Sequence, residues 1–148
     1  MKARSGTRHE PRRRARRRAL QALYQWQLTG QEAADICAQF REEQDFDGVD
    51  EAFFDAIVRG VAAEHEALDE RLAPCLDRPM TQVDAVERAV LRMGAWELVH
   101  ELHTPFRVVL DECVDLARHF GAEGGHAYVN GVLDKVAPGL RPHEAPGA

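Results

Sequence analysis

The sequence predicts an all-α protein of about six or seven helices, and three observations support that prediction. Apolar residues recur at three- and four-residue spacing along most of the 148 residues, as they do on one face of an α-helix. Capping residues, prolines and glycines separate these segments. No strong alternation of apolar and polar residues, the pattern typical of β-strands, is present.

Three helices are predicted in the first half of the chain. The first runs from Pro11 to Thr29, the second covers about 32–43, and the third begins after Asp50, which can serve as its N-cap. Apolar side chains share one face of each helix: Ala15, Ala19, Ala22, Leu23 and Trp26 in the first, Ile36, Cys37 and Phe40 in the second, and Phe54, Ile57, Val58 and Val61 in the third.

The second half repeats this pattern with clearer boundaries. Thr81 and Asp84 resemble a capping box before a helix that is apolar on two sides and therefore central. Thr104 is predicted to be the N-cap of the next helix and Pro105 to lie in its first turn, and Gly121 ends that helix. A last short helix covers about 129–136. Breaks near 74–80 divide the single domain, residues 1–148, into sub-bundles at about 11–76 and 80–138, with flexible tails at 1–10 and 139–148.

Composition limits the class of protein. Cys37, Cys75 and Cys113 stand far apart without a C-x-x-C motif, which indicates buried thiols in a reducing compartment rather than disulfides or zinc ligands. No apolar run reaches the ~18 residues that a membrane helix needs. The basic start lacks the apolar core and cleavage site of a signal peptide. We therefore expect a cytoplasmic protein with no membrane association.

The net charge of −6 hides a strong asymmetry along the chain. Residues 1–18 contain nine of the 19 lysines and arginines and a single acid, Glu10. The remaining 130 residues carry ten basic and 24 acidic side chains, a balance of −14. Because charges act over a Debye length of roughly 8 Å, a phosphate responds to the local charge rather than to the total.

No motif in the chain predicts catalysis, a metal site or a cofactor. Asp111, Glu112 and Asp115 in "DECVD" and the acids of "HEALDE" have helical spacing, but a solvated helix face explains both. The glycines of "GAEGGHAYVNG" follow no strand, as a phosphate-binding loop would require. The sequence therefore favours a binding protein without a bound cofactor.

The basic run "RRRARRR" continues without a break into the apolar face of the first helix. Like charges one turn apart destabilise a helix by a few tenths of a kcal/mol for each pair, and a phosphate backbone would remove that repulsion. Arginine also donates in a planar fork and stacks on bases. These properties favour a nucleic-acid surface, particularly for single-stranded RNA, over a solvated tail.

Four blocks, in this order, resemble the NusB family of bacterial transcription antitermination factors: "RRRARRRALQALYQWQ", "VERAVLRMGAWEL", "TPFRVVLDECVDLARHFGAE" and "YVNGVLDKVAP". The resemblance runs from about Arg12 to Pro142. It implies an all-α fold of two packed helical sub-bundles without enzymatic activity. It also implies binding of single-stranded boxA-like RNA together with ribosomal protein NusE, in the complex of a transcribing RNA polymerase.

The resemblance also implies site residues. Candidate RNA-binding residues are Arg12, Arg13, Arg14, Arg16, Arg17, Tyr24, Arg92, Tyr128 and Asn130, and Glu87 is a candidate partner-binding residue. The acidic balance of the chain outside residues 1–18, rather than the resemblance, adds Glu97 and Glu101 as candidates for binding a basic partner. Arg92 has no acidic residue three or four positions away, so an ion pair within its own helix is not expected. Tyr128 is predicted to stack on a base and Asn130 to read a base edge, although core packing is an alternative for both.

Two alternatives stay open at this point. The chain could be an RNA-binding appendage of an RNA methyltransferase, or a protein-interaction module, including a homodimer, that uses its acidic 31–70 region. One departure from the family pattern concerns Gly124 and Gly125, where relatives often carry an acidic or hydroxyl residue. We expect this pair to loosen the loop at 121–126, which leaves its RNA contacts open.

Overall fold

The computed structural model describes the backbone of residues 2–144 and the side chains of residues 9–144. Six α-helices and two 3-10 turns make up the described chain, which contains no strand. The helices are α1 (Lys2–Thr29), α2 (Ala33–Glu43), α3 (Glu51–Leu72), α4 (Ala85–His100), α5 (Phe106–Phe120) and α6 (Gly125–Leu140), and the 3-10 turns are Ala73–Cys75 and Met80–Gln82. The all-α prediction is confirmed.

The chain divides into two compact units, Met1–Ala63 and Glu64–Ala148. The N-terminal unit packs α1, α2 and the first part of α3 around apolar side chains that are almost fully buried. Phe54 of α3 lies at its centre, stacked on Phe40 at 6.1 Å and in edge contact with Phe46 at 5.0 Å between ring centroids. Aromatic pairs at these separations add to the stabilisation that burial provides.

The C-terminal unit packs α4, α5 and α6 against one another. Every residue of α4 from Ala89 to Leu98 is buried, as its two-sided apolar pattern predicts. Gly94 lies where the three helices meet, because a Cβ there would be 2.9 Å from Leu133 Cδ1 and 3.0 Å from the Cys113 sulfur. A side chain at this position would therefore push the helices apart.

Arg141, which is only 5% exposed, joins the end of α4 to the segment before α5. Its Nε donates to the carbonyl of Leu98 at 2.7 Å, and its terminal nitrogens donate to the carbonyls of Glu97, Glu101 and Thr104 at 3.3, 2.9 and 2.8 Å. One guanidinium thus donates to carbonyls at the end of α4 and in the turn that follows it, where Glu97 and Glu101 also accept from backbone N–H groups.

Glu144 completes this arrangement at the start of α5. One carboxylate oxygen accepts from Arg141 at 2.6 Å and the other from the backbone N–H of Phe106 at 2.7 Å. These donors lower the pKa of Glu144, with the Phe106 N–H as the larger cause. Glu144 therefore caps α5, which is the role that the sequence predicts for Thr104. The residue before α5 is Pro105, and its side chain makes no capping hydrogen bond.

Several predicted boundaries differ from those observed. α1 begins at Lys2 rather than at Pro11. Of the two predicted tails, residue 1, the side chains of 1–8 and residues 145–148 lie outside the described residues. α3 continues to Leu72, so the division between the units falls at Ala63 and not near 74–80. Asp84 alone caps α4, accepting from the Val86 N–H at 3.1 Å. The predicted cap of α3 is present, because Asp50 accepts from Phe53 N–H at 3.0 Å.

We expect Arg141→Ala to lower the free energy of unfolding by about 3 kcal/mol, because removing one partner of a buried charged network leaves the others unpaired. Urea denaturation followed by Trp96 fluorescence in a Trp26→Phe background measures this in the C-terminal unit. The control is Arg71→Ala. Arg71 is exposed, and its hydrogen bond to the Gly139 carbonyl, 3.1 Å long, lies at the protein surface. Equal decreases in the two variants would contradict the expectation.

Candidate nucleic-acid interface

The arginines of α1 divide into anchored and outward-facing side chains. The Arg12 guanidinium carbon lies 3.6 Å from the centroid of the Phe53 ring, and that of Arg16 lies 5.1 Å away. Arg16 is only 2% exposed. Because a guanidinium over an aromatic face is held by a cation–π attraction, Phe53 fixes this side of the helix.

The segment 44–50, between α2 and α3, holds the same helix from another side. Arg18 donates to the Asp45 carbonyl at 2.9 Å and lies 5.9 Å from the Phe46 ring. The Asp50 N–H donates to the carbonyl of Pro11 at 3.1 Å. Gly48, at a φ of +75°, lets the Arg14 side chain approach closely enough that a Cβ would collide with it. This segment therefore shapes the arginine helix.

The remaining arginines leave part of α1 available to a ligand. Arg14 is about half exposed and pairs with Glu10 at 3.3 Å, Arg17 is exposed and Arg13 is half-buried. The exposed face continues along the helix through Gln21 to Tyr24 and Leu28, which are 40% and 62% exposed. Cations followed by an aromatic and an apolar side chain can hold phosphates and stack bases. We call this row, Arg14, Arg17, Gln21, Tyr24 and Leu28, the α1 face.

The sequence excludes an ion-pair partner of Arg92 only within its own helix, whereas the partner lies on α3. The side chain is buried in the C-terminal unit, and its guanidinium donates in a fork to both carboxylate oxygens of Asp69 on α3, at 2.9 and 2.7 Å. Asp69 lies 23 positions away in sequence, so spacing along one helix could not reveal it. Arg92 thus fastens α4 to the end of α3.

Two of the three predicted partner-binding acids lie inside the C-terminal unit. Glu97 is fully buried and Glu87 is 3% exposed, whereas Glu101 is half-buried at the end of α4. Buried carboxylates do not present a surface to another protein. Partner binding through Glu101 therefore remains the prediction that its position favours.

Glu87 instead organises the loop between α5 and α6. Its carboxylate accepts from the Ala122 N–H at 2.9 Å, and Gly121 and Gly125 approach it so closely that a Cβ on either would collide with its Oε2 atom. Gly124 has a φ of +82°. The Gly124–Gly125 pair thus helps to close the loop around Glu87, whereas the sequence predicts that this pair loosens it.

The environment of Glu87 changes its acidity. Burial raises the pKa of Glu87, and the neighbouring Asp84 carboxylate raises it further, while the Ala122 N–H opposes both. The same side chain lines a cleft of about 250 Å³ with Arg78, Gly124 and Tyr128. The structure therefore brings Glu87 and Tyr128 to one concave surface of the C-terminal unit.

Tyr128 and Asn130 lie on α6, where Asn130 is exposed and Tyr128 is half-buried. Arg78 stacks over the Tyr128 ring, with its guanidinium carbon 4.8 Å from the centroid. Asp77 pairs with Arg78 through two contacts of 2.6 and 2.9 Å. In the sequence, 77–79 is interpreted only as a chain break, so the contacts of Asp77 and Arg78 are missed. The sequence signal that could have revealed them is an acid next to an arginine between two short turns.

Neither a metal centre nor a membrane segment is evident in the part of the chain that the structure describes. No cluster of three or more histidine, cysteine or acidic side chains there could hold a metal ion. No described helix is both long and apolar enough to cross a bilayer. Cys37 and Cys113 are buried, as predicted, while Cys75 is half-buried.

Comparison with known proteins now places the chain. The sequence model of the NusB family matches residues 13–138. The chain is 50% identical to the transcription antitermination protein NusB of Xylella fastidiosa (strain 9a5c) over 90% of this chain and 85% of that protein. It is also 50% identical to the protein of that name from Pseudomonas entomophila (strain L48), over 90% and 80% of the two chains.

Solved structures agree with the sequence relatives. T. maritima NusB superposes with a TM-score of 0.77 at 28% identity, over 92% of this chain and 94% of that one. A crystal structure of antitermination factors NusB and NusE in complex with dsRNA superposes with a TM-score of 0.76 at 25% identity, over 86% and 96%. The fold and these matches define an all-helical transcription antitermination protein. The chain belongs to the NusB family.

The raised pKa of Glu87 makes the stability of the folded protein depend on pH. Because the folded-state pKa is raised above the ordinary value of 4.5, its contribution to stability is fully present below that value and is lost as the pH rises through the folded-state pKa. Glu87→Gln resembles the protonated acid and cannot ionise. We expect equal free energies of unfolding for the two proteins at pH 4 and a more stable variant at pH 7.

Urea denaturation at several pH values measures this difference. Glu66→Gln is the matched control, since Glu66 is an exposed acid of the same unit and should give no such trend. A variant that is less stable than the original protein at pH 7 would show that the carboxylate charge is favourable in the loop.

Proposed function

We propose that this chain binds boxA-type RNA of ribosomal RNA leader transcripts together with ribosomal protein NusE, as a binding protein rather than an enzyme. The observation that carries the proposal is the α1 face, in which exposed cations continue into an exposed tyrosine on a helix that is firmly held. The solved complex of NusB, NusE and dsRNA supports it. Because bacterial transcription takes place in the cytoplasm, we place the protein there.

The anchored arginines and the outward arginines have different roles in this proposal. Arg12 and Arg16 lie over Phe53, so they fix the rotation of α1 and add to its positive potential. Arg14 and Arg17, with half-buried Arg13, supply the phosphate contacts. Tyr24 offers an aromatic surface for a base, and such stacking contributes about 1–3 kcal/mol for each base.

In the C-terminal unit, Tyr128 and Asn130 are the proposed RNA-contacting side chains. The Tyr128 ring is already backed by Arg78, which orients it without covering the whole residue. Arg92 points its fork at Asp69, so it supports the site by fixing α4, and RNA would have to compete with Asp69 for it.

The partner surface is proposed around the end of α4. Glu101 is half-buried there, and Leu102 beside it is 67% exposed. An acidic side chain next to an exposed apolar one suits a basic ribosomal protein, because the 130 residues after the arginine run carry a balance of −14. With NusE attached, the pair would act within the complex of a transcribing RNA polymerase. RNA binding that does not depend on the α1 face would favour the alternative of a protein-interaction module that uses the acidic 31–70 region.

We expect the double variant Arg14→Gln and Arg17→Gln to bind RNA more weakly while its helicity and stability are unchanged. The slope of log K against log salt should flatten by about 0.7 for each single-strand phosphate that the variant no longer neutralises. Fluorescence anisotropy of a labelled boxA-like RNA at several salt concentrations measures both, and a duplex of the same sequence separates single-strand from double-strand binding.

The control for these arginines is Arg59→Gln, which removes a half-exposed arginine of the same unit that faces Asp55 at 3.8 Å. It should leave the affinity and the salt slope unchanged. Equal weakening by the control and the double variant would mean that general charge, rather than the α1 face, attracts the RNA.

The proposed partner gives a second expectation. Glu101→Lys should weaken NusE binding several-fold, since it places a like charge against a basic partner, whereas Glu70→Lys, at another exposed acid of the C-terminal unit, should not. Isothermal titration, with and without saturating RNA, measures the affinity and the coupling. The coupling must be reciprocal. A factor near one in both directions would contradict a joint RNA surface.

A further inference from the structure

A second cleft of the C-terminal unit shares Tyr128 with the first. It has a volume of about 230 Å³ and is lined by Asp77 and Cys75, by Tyr128, and by Ala127, Gly131, Val132 and Lys135 of α6. Small and aliphatic residues of α6 and the Tyr128 ring form its apolar part, and one anionic and one cationic side chain also line it. Of these residues, only Tyr128 is an RNA contact that the sequence predicts.

The floor of the cleft is open because of Gly131. A Cβ built at this position would meet no atom within 4 Å, although the residue lies inside α6. Glycine within a helix is unfavourable relative to alanine, and no crowded contact requires it here. Because Gly131 lines the cleft, a larger side chain at this position would occupy the space beside Tyr128.

Asp77 gives the slot a directional polar group. The Arg78 guanidinium lowers the pKa of Asp77 to about 2, so the carboxylate is ionised and only accepts hydrogen bonds. Arg78 also balances its charge through contacts of 2.6 and 2.9 Å, which reduces repulsion of a nearby phosphate. An ionised carboxylate has about four acceptor sites, so Asp77 can accept from a ligand while it is paired with Arg78.

The hydroxyl of Tyr128 points to the same ligand chemistry. Its oxygen is buried beside Asp77, whose carboxylate adds to the effect of burial in raising the pKa of Tyr128, while the Asp77 backbone opposes both. The hydroxyl and the carboxylate therefore form one polar edge of the slot, to which a ligand with hydrogen-bonding groups can bind.

We propose that this slot, which we call the Asp77 slot, takes a single nucleobase that carries an exocyclic amino group and that Asp77 accepts a hydrogen bond from that group. Carboxylates read the amino group of cytosine in this way, and adenine and guanine offer the same donor. Tyr128 and the small residues of α6 contact the face of the base, and Lys135 contacts its phosphate. The inference rests on the proposed RNA binding and adds a preference against uracil.

Other small ligands suit the slot less well. A carboxylate has no hydrogen to donate to the ionised Asp77, and a metal ion would find one carboxylate that is already engaged by Arg78. A flat, uncharged group with an amino donor satisfies both the apolar walls and the acceptor. This description fits a base and leaves its phosphate for the exposed Lys135.

The experiment measures the affinities of labelled 12-residue oligo(C), oligo(A) and oligo(U) by fluorescence anisotropy at low salt, where binding of the charged backbone is strongest. Homopolymers are used because every register then offers the same base. We expect oligo(C) and oligo(A) to bind about fivefold or more tightly than oligo(U). That factor is the lower limit of about 1 kcal/mol for one well-placed base contact.

Two variants test the slot itself. Asp77→Asn should weaken oligo(C) and oligo(A) while sparing oligo(U), because an asparagine can donate to the uracil carbonyl that an aspartate repels. Gly131→Leu should fill the slot and weaken all three RNAs. The matched control is Gly139→Leu in the same helix, where a Cβ would meet only the Arg71 side chain, at 3.6 Å, and should change no affinity.

The outcomes separate the two proposals. If none of the three RNAs, nor the boxA-like RNA, binds the original protein, the proposed function fails and the slot fails with it. If the RNAs bind but oligo(C) and oligo(U) are equal, or if Asp77→Asn weakens all of them alike, RNA binding stands and the Asp77 slot is overturned. Equal effects of Gly131→Leu and Gly139→Leu would overturn it as well.

Discussion

The stacking of Arg12 and Arg16 on Phe53 is the contact on which the rest of the N-terminal unit depends. Six arginines within seven residues repel one another along α1, and each pair one turn apart works against the helix. Placing two of them over one aromatic ring, and a third against the Asp45 carbonyl, gives these charges partners inside the unit. The helix can then present its remaining cations outward without losing its position.

In the C-terminal unit, carboxylates with partners inside the unit hold neighbouring segments in place, as the anchored arginines do in the N-terminal unit. Glu87 is buried where the α5–α6 loop wraps around it, and Asp69 receives the fork of Arg92. These two carboxylates hold one loop and one helix at defined positions near Tyr128. Glu87 and Arg92, which match family site residues, therefore stabilise the fold of this unit. Their effect on a bound ligand is exerted through that fold.

The sequence predicted the helices well and the use of individual charges poorly. Local spacing is enough to place Ala15, Ala19 and Leu23 in the core, because a helix face depends on residues three and four positions apart. It cannot show that Arg16 is buried, that Arg92 pairs 23 positions away, or that Glu144 caps α5. These contacts join distant parts of the chain, and arginine and glutamate look the same in sequence whether they are paired inside the unit or solvated.

The position of Arg141 and Glu144 in the sequence also sets the order in which the contacts of the two units can form as the chain is synthesised. Both residues follow α6, yet they contact the carbonyls at the end of α4 and the first N–H of α5. The N-terminal unit has all its residues available as soon as Ala63 has emerged from the ribosome. The C-terminal unit must wait for residue 144, so every residue that packs the arginine helix within its own unit is available before the other unit is complete.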